Sequence, residues 1–463
     1  MKKYDFIIIG SGTSGGVWAY YLTKAGFSCL MLEAGKEFTA ETFPDNEMDY
    51  NSQLIWNGGM DVNTDASLAF LRGKCVGGGS IINQCLLDRF DDIAFNDWSK
   101  DSGIDFNLEE MIKHYEAIEG LISLEKVPKD VWNRNAQLYV EGFEKLGLQW
   151  APLRRGQTDC ANDRGNDCII CLGGCPRDSK QSIPIVFLPE AKKNGLELWT
   201  EFLVDKIIDG GESIKVLGNQ LGESKEVECT RCVVASGALG TTQILLKSGL
   251  KNDLPALGEN FRCHPQIMNF AYFDEEINAH KGAFQAIKSA DVRMREKGYK
   301  LENVFASPIG IAMLYPKFGK KHQEWMRKYN HLMCMEIAVR DVGKGRLSLD
   351  KKGRLKIHKK LSKEDNLRAE EGKKMVKAIF EAVGAKEVYQ SPLSFGLHLM
   401  GGCVMGNDPK TSVVNENFQV HRHPNIFISD SSIFPNAPGI NPALTIMALT
   451  EKASNIVINQ FKK

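Results

Sequence analysis

Apolar and polar positions change period several times along the chain, and each change marks an element. Tyr4 to Ile9 is a short apolar run closed by Gly10, the pattern of a strand buried on both faces of a parallel sheet. Ser14 to Ala25 has helical composition and Phe27 to Leu32 is apolar again, so the chain opens with a βαβ unit. Leu108 to Tyr115 carries helical patterning. Residues 150–182 show little periodicity, much Gly, Asp and Asn, and four cysteines, which predicts a loop or a ligand-bound excursion. Residues 196–235 alternate in strand fashion and end at Val233-Val234-Ala235-Ser236-Gly237, with a helix over Thr241 to Ser248. Strand patterns recur at Val304 to Leu314 and Leu332 to Val339, followed by a helix from about Asp365 to Val383. The chain after His398 is rich in glycine and ends in a long helix, Pro442 to Phe461.

The strand–turn–helix signals at 4–35, 231–248 and 426–461 lie far apart, with no repeat between them. This predicts an α/β chain whose Rossmann-like domain is assembled from discontinuous segments, 1–90, 196–267 and 397–463. The intervening 91–195 and 268–396 form a second, α+β domain that carries a Cys-rich loop, 160–176. Composition narrows the partners. The chain has 463 residues, with 58 Lys and Arg against 58 Asp and Glu. A net charge of zero argues against a nucleic-acid binder, which needs a basic surplus to neutralise phosphate. The N-terminus lacks the charged and apolar pattern of an export signal, and no window reaches the ~20 apolar residues that span a bilayer. A cytoplasmic protein without a transmembrane segment is the expectation. In that compartment twelve cysteines are to be read as thiols or metal ligands before disulfides.

Gly10-Ser-Gly12-Thr-Ser-Gly15 follows the first strand and opens the first helix, and Glu33 closes the next strand. Gly10 permits the tight turn, Gly12 lets backbone approach a pyrophosphate, and Gly15 lets helix and strand pack. The helix N-terminus offers free N–H groups to the anion, and Glu33 is placed to accept hydrogen bonds from a ribose. The motif alone is weak; with strand, helix and acid in place it predicts dinucleotide binding. A second cluster, Gly77-Gly78-Gly79-Ser80-Ile81-Ile82-Asn83, allows very close backbone approach to a flat or anionic ligand. A third runs from an apolar strand to Asp430, and Asn441-Pro442 opens the last helix. The positive end of that helix suits a group that becomes anionic on reduction. On its own, Asp430 reads equally as a strand-end turn residue.

Together these segments resemble the glucose–methanol–choline (GMC) oxidoreductases, in family order along nearly the whole chain. The resemblance also takes in Val233–Gly249, Leu257–Pro265 with its Cys263-His264-Pro265, and His398-Leu-Met-Gly401-Gly402-Cys-Val-Met405-Gly406. It implies FAD, an antiparallel-sheet substrate domain, and oxidation of an alcohol to a carbonyl. Carried onto matching positions, it puts Glu33 on the adenosine ribose and Val204 beside adenine. Gly77, Gly78, Ser80 and Asn83 then lie along the pyrophosphate and isoalloxazine, and Asp430 near the ribityl phosphate. Some members link flavin through a His immediately before the Asn of the Gly-rich loop. Ile82 stands there in this chain, so the FAD is expected to be non-covalent.

The same resemblance places His398 and Asn441 at the reactive edge of the flavin. An imidazole suits the proton of an alcohol at neutral pH, so His398 is expected to act as general base while hydride leaves for flavin N5, with Asn441 orienting the oxygen. Taken alone, His398 reads first as a structural histidine beside a glycine turn. His264 carries no evident chemistry, His421 and His423 read as a polar turn, and Glu336 reads as a solvent-facing or salt-bridged carboxylate. The alternatives are an NAD-dependent dehydrogenase and a flavin-bearing electron-transfer or assembly subunit. Partners would be the alcohol and an acceptor: oxygen, a quinone or an electron-carrier protein.

Cys168-Ile-Ile-Cys171-Leu-Gly-Gly-Cys175-Pro176 reproduces the last three cysteines and the proline of the bacterial ferredoxin run, with Gly165 at the first position. Some sugar dehydrogenases of the GMC family carry a cluster on such a loop, which makes Cys168, Cys171 and Cys175 candidate iron–sulfur ligands. With Cys160 they are also four thiols for zinc, at a spacing unlike a zinc finger. Reduced thiols packed in a tight loop are the leading reading.

Overall fold

The structure, a computed structural model, describes residues 3–59, 61–158, 160, 171–282, 285–315 and 317–462. Two large sheets organise it. The first takes its parallel strands in the order Glu197–Trp199, Cys29–Leu32, Lys3–Ile9, Glu223–Val234 and His423–Phe427, with antiparallel strands Phe202–Asp209, Ile214–Gln220 and Gln419–Val420 at its flanks. Phe6, Ile7 and Ile8 are fully buried because helices cover both faces, which is why the first strand reads as an unbroken apolar run. Thr13–Lys24 and Gly237–Lys247 each follow a strand at its carboxyl end, where ligands of open parallel sheets bind. The final helix, Ala443–Phe461, packs on the first through Ser14, Trp18, Ser429 and Thr450.

The second sheet is built on the long strand Glu259–Tyr272, flanked antiparallel by Leu332–Val339 and Glu387–Met400, with Tyr299–Asn303 next outward. Strand alternation gives this sheet two unlike faces. Ile267, Ile337 and Leu301 pair across one face and are buried with Val376, Ile379 and Phe380 of the helix Lys363–Ala382. That helix is started by a capping box between Ser362 and Asp365. Across the opposite face run Gln266, Glu336, Lys300, Glu302 and Lys288, in cross-strand rows.

Most expected elements are present; the domain boundaries need correction. Strand Leu68–Phe70, inside the expected first domain, pairs parallel with Ser394–Gly396 and belongs to the second sheet, which is therefore not wholly antiparallel. Helices Asp92–Ser102 and Leu108–Glu119 were expected in the second domain. Their Phe95, Trp98, Met111, Tyr115 and Ile118 are buried in the core of the first, because Tyr115 hydrogen-bonds Thr445 and His114 meets Glu451 on the final helix. The helices over 183–193 join the same core through Ile183, Phe187 and Leu188. Val304 to Leu314 is no strand: Tyr299–Asn303 precedes it and Pro308–Leu314 is helical, with proline in the first turn. Glu259–Tyr272 and Glu387–Met400 cross the expected boundaries at 267 and 397 without a break.

Candidate active site

The cofactor cradle is made of backbone. Gly10 has φ +99, and a Cβ there would lie 2.6 Å from the Ala235 carbonyl oxygen; one on Gly15 would lie 1.9 Å from the Gly10 oxygen. At Gly12 and Gly79 a Cβ would meet nothing, so the backbone there borders open space. Gly78, at φ +51, comes so near Gly12 that its Cβ would sit 3.1 Å from the Gly12 Cα. Two glycine turns thus face each other at the start of the first helix, a cleft that fits a pyrophosphate.

Side chains behind the cleft hold it. Glu33 is buried; its carboxylate accepts Ser11 N–H (3.0 Å), Ser11 O–H (2.6 Å) and Gly35 N–H (2.8 Å), and desolvation raises its pKa against those bonds. Ser11 Oγ in turn accepts Gly77 N–H at 3.0 Å, stapling the two glycine turns together. Ser80 donates to the Gly77 carbonyl (2.7 Å) and accepts Ile183 N–H. Asn83 caps the short helix Gly79–Ile82 and accepts Cys85 N–H. The buried Lys180 ammonium donates to the carbonyls of Ile81, Asn83 (2.9 Å) and Cys171 (2.6 Å), tying this loop to the Cys-rich segment. Asp430 accepts Gly237 N–H (2.8 Å), Thr241 O–H (2.6 Å) and Ser432 N–H (2.9 Å), which ties its turn to the start of the helix Gly237–Lys247. Val204 is buried on the strand Phe202–Asp209, and Pro442 is the N-cap of the final helix. Ser11, Lys180 and Thr241 escaped the sequence reading. Ser11 alone had a visible signal, sitting between two motif glycines.

The chemistry gathers where the second sheet meets the final helix. Between Arg262↔Met400 and His264↔Leu397 the register shifts, leaving one extra residue on the His398 strand. His398 sits in this bulge at φ +54, a left-handed conformation uncommon for a side-chain-bearing residue. The bulge turns its ring onto His264, with Nδ1 to Nδ1 at 2.9 Å and the rings edge to face. His264 Nε2 accepts the N–H of Gly439 at 2.9 Å. Gly439 has φ +75, a conformation that favours glycine, and a Cβ there would lie 2.6 Å from the Arg295 guanidinium. Two residues on, buried Asn441 accepts Lys300 Nζ at 3.0 Å through Oδ1, while its Nδ2 hydrogen-bonds no described residue. Lys300 is paired with Glu302 at 2.5 Å.

Burial drives the His398 pKa down to about 4, helped by the Lys300 charge and opposed by Glu302; burial also drives His264 well below 6.5. Both rings are neutral at pH 7. Gly439 N–H occupies the His264 Nε2 lone pair, so a neutral His264 carries its proton on Nδ1 and donates it to His398. His398 is left with its own proton on Nε2, the nitrogen that has no partner among the described residues. His264, thought idle, is therefore the residue that sets the state of His398.

Glu336 also differs from expectation. It is buried beside Glu302 across adjacent strands, with Gln285 donating to both, and it is held protonated by burial and by the Glu302 charge. His421 bonds Ser412 and His423 bonds Asp209, as a polar turn requires. Cys168 and Gly165 lie outside the described residues. Cys160, Cys171 and Cys175 line a small cavity with Pro176 and Arg177.

Similarity to known proteins gives the family and the fold. Family models described as GMC oxidoreductase match residues 5–266 and 344–450. The chain belongs to the GMC oxidoreductase family. It is 28% identical to the long-chain-alcohol oxidase FAO4B of Arabidopsis thaliana, over 99% of this chain and 68% of that protein. It is 25% identical to a cholesterol oxidase of Acinetobacter baumannii, over 98% of this chain and 94% of that one. Among solved structures, pyridoxine 4-oxidase of Mesorbium loti superposes with a TM-score of 0.74 at 16% identity, covering 98% and 99% of the two chains. A formate oxidase of Aspergillus oryzae gives 0.75 at 13%, covering 100% and 99%. The GMC fold, a Rossmann-like flavin sheet beside a substrate sheet, is therefore the fold of this flavoprotein.

Proposed function

We propose that this GMC enzyme binds FAD non-covalently and oxidises an alcohol to a carbonyl compound. The glycine cleft, Glu33, Asp430 and the N-terminus of the final helix fit the cofactor, and Ile82 offers no atom for a covalent link at the loop position. FAD, when bound, supplies the hydride acceptor. The protein supplies the place for the alcohol oxygen, between His398 and Asn441. The observation that carries this reading is the buried Asn441 Nδ2, a polar donor with no hydrogen-bond partner among the described residues, two residues beyond the Gly439 N–H that holds the histidine pair. An unsatisfied buried donor costs about 1–3 kcal/mol, which supports an acceptor atom of a ligand at this position.

The test is anaerobic mixing of FAD-loaded protein with sugars, sterols, long-chain alcohols and aryl alcohols. At least one class is expected to bleach the flavin, with the matching carbonyl formed in equal amount. Flavin that stays oxidised under every alcohol, yet is reduced by dithionite, would replace this reading by an electron-transfer role. Acid or denaturant is expected to release intact FAD; flavin left on the polypeptide would refute non-covalent binding.

A further inference from the structure

We propose that Gln266 receives a second hydroxyl group of the substrate, and that the preferred alcohol is a neutral compound bearing several hydroxyls, not a sterol or a long-chain monoalcohol. The proposal rests on the alcohol-oxidation reading and deepens it by naming the substrate class.

Strand register places the residues. Gln266 follows His264 by two positions on the strand Glu259–Tyr272, so both side chains leave the same face, about 7 Å apart along it. Directly opposite Gln266 is Ala338, and opposite Ala338 is Lys300, which reaches Asn441 at 3.0 Å. In the next row Met268, Glu336, Glu302 and Lys288 follow in order. Ala338 is the smallest side chain in these rows. It leaves a gap between Gln266 and Lys300, whose backbones stand two strand spacings, about 10 Å, apart. The gap borders open space: Ala338 and Met268 keep 7% and 9% of their surface, whereas Leu301, Met335 and Ile337 on the opposite face keep none.

The chemistry of this wall selects the ligand. Gln266 is only 3% exposed, and its Oε1 accepts no hydrogen bond from a described residue. An apolar chain laid over it would leave that acceptor unpaired, whereas an O–H satisfies it. The charges of the wall are answered within the wall. Lys300 pairs with Glu302 at 2.5 Å and Lys288 with Asp88 at 2.7 Å. Glu336, held protonated by burial beside Glu302, shares Gln285 with it. A carboxylate or ammonium substrate would therefore meet no spare opposite charge among these residues. What remains for a ligand is neutral amide: Gln266 Oε1, Asn441 Nδ2 and both amide atoms of Gln84, four residues before the Asp88 that meets Lys288. Amides donate and accept, as hydroxyls do, and several unmet amide atoms match several hydroxyls. Gln266 thus acts on the choice of substrate.

The test holds chain length constant and varies hydroxyl number. FAD-loaded protein is mixed anaerobically with pentan-1-ol, pentane-1,5-diol and the pentitol xylitol, and kcat/KM is read from flavin reduction. The diol and the pentitol are expected to exceed pentan-1-ol by at least about tenfold, the worth of one satisfied buried acceptor. An equal or higher value for pentan-1-ol would overturn the proposal. Gln266→Leu, which keeps volume and removes the acceptor, is expected to shrink the xylitol-to-pentanol ratio by at least about tenfold, with Gln266→Glu, which keeps an oxygen there, recovering most of it. Equal losses for both alcohols, with FAD content intact, are the result for an acceptor met by water alone and would overturn the assignment. If the Leu variant does not fold, the wild-type series decides.

Binding separates this proposal from the functional reading. Calorimetric titration of the oxidised, FAD-loaded protein with xylitol is expected to show binding that weakens by at least about tenfold in Gln266→Leu. That result, with flavin that no alcohol reduces, would refute alcohol oxidation and leave the polyol site standing. Reduction by pentan-1-ol alone, without xylitol binding, would refute the polyol site and leave alcohol oxidation standing.

Discussion

The two sheets solve opposite problems with opposite means. The flavin-binding sheet is apolar on both faces, and its function resides in backbone at strand ends: glycine turns at 10–15 and 77–79, propped by Glu33 and Ser11. The second sheet turns one apolar face toward the helix Lys363–Ala382. Its other face sets buried charges and amides (Gln266, Lys300, Glu302, Glu336) among apolar side chains such as Met268 and Phe270, and function there resides in side chains held by strand register. A backbone cradle recognises what all dinucleotides share. A side-chain wall decides what is done, and to which molecule.

Four perturbations bear on that contrast. Gly15→Val is expected to be the most damaging, because even a Cβ would overlap the Gly10 carbonyl; FAD binding is expected to be lost together with the fold, as a melting scan would show. Soluble protein that binds FAD normally would mean that the cleft is not built by close packing. On the wall, Asn441→Asp replaces the free donor by a carboxylate facing the substrate oxygen. Flavin reduction is expected to slow by about 100- to 1,000-fold with FAD content unchanged, measured by anaerobic stopped flow.

Glu33→Gln keeps shape but swaps an acceptor for an amide beside two N–H groups and a hydroxyl. FAD affinity is expected to weaken by about tenfold, read by titration, the size of a lost charge-assisted hydrogen bond. Smallest is an acid effect. The folded pKa of His398 is depressed to about 4 from an unfolded 6.5, so unfolding takes up a proton in that window. The stability this histidine contributes is fully present above pH 6.5 and is lost as pH falls toward 4. His398→Gln is expected to flatten that portion of the melting-temperature profile, and an unchanged profile would deny the burial of the ring's charge.

The contrast also explains what could be read in the chain. Gly10–Gly15 and Gly77–Ser80 were legible as tight turns because spacing within a few residues is geometry, whereas the contacts of Asp430 with Gly237 and Thr241 reach between distant segments. His264 and Lys300 were not, because their contacts, His398 and Asn441, lie more than a hundred residues away, and because His398 sits in a bulge that no local pattern announces. Glu336 looked like a surface carboxylate in an alternating strand; only pairing with Glu302 shows that the polar face is the inner one. The helices at 92–119 were assigned to the wrong domain for a related reason. Their apolar stripes say that something covers them, and the final helix, three hundred residues later, is what does.

The division between cradle and wall is tested most directly in His398→Ala. FAD affinity and anaerobic reduction by the preferred alcohol are measured on the same preparation. FAD binding within about twofold of wild type is expected, with reduction slowed at least about 100-fold. Reduction at the wild-type rate, or loss of FAD in parallel with activity, would contradict the account.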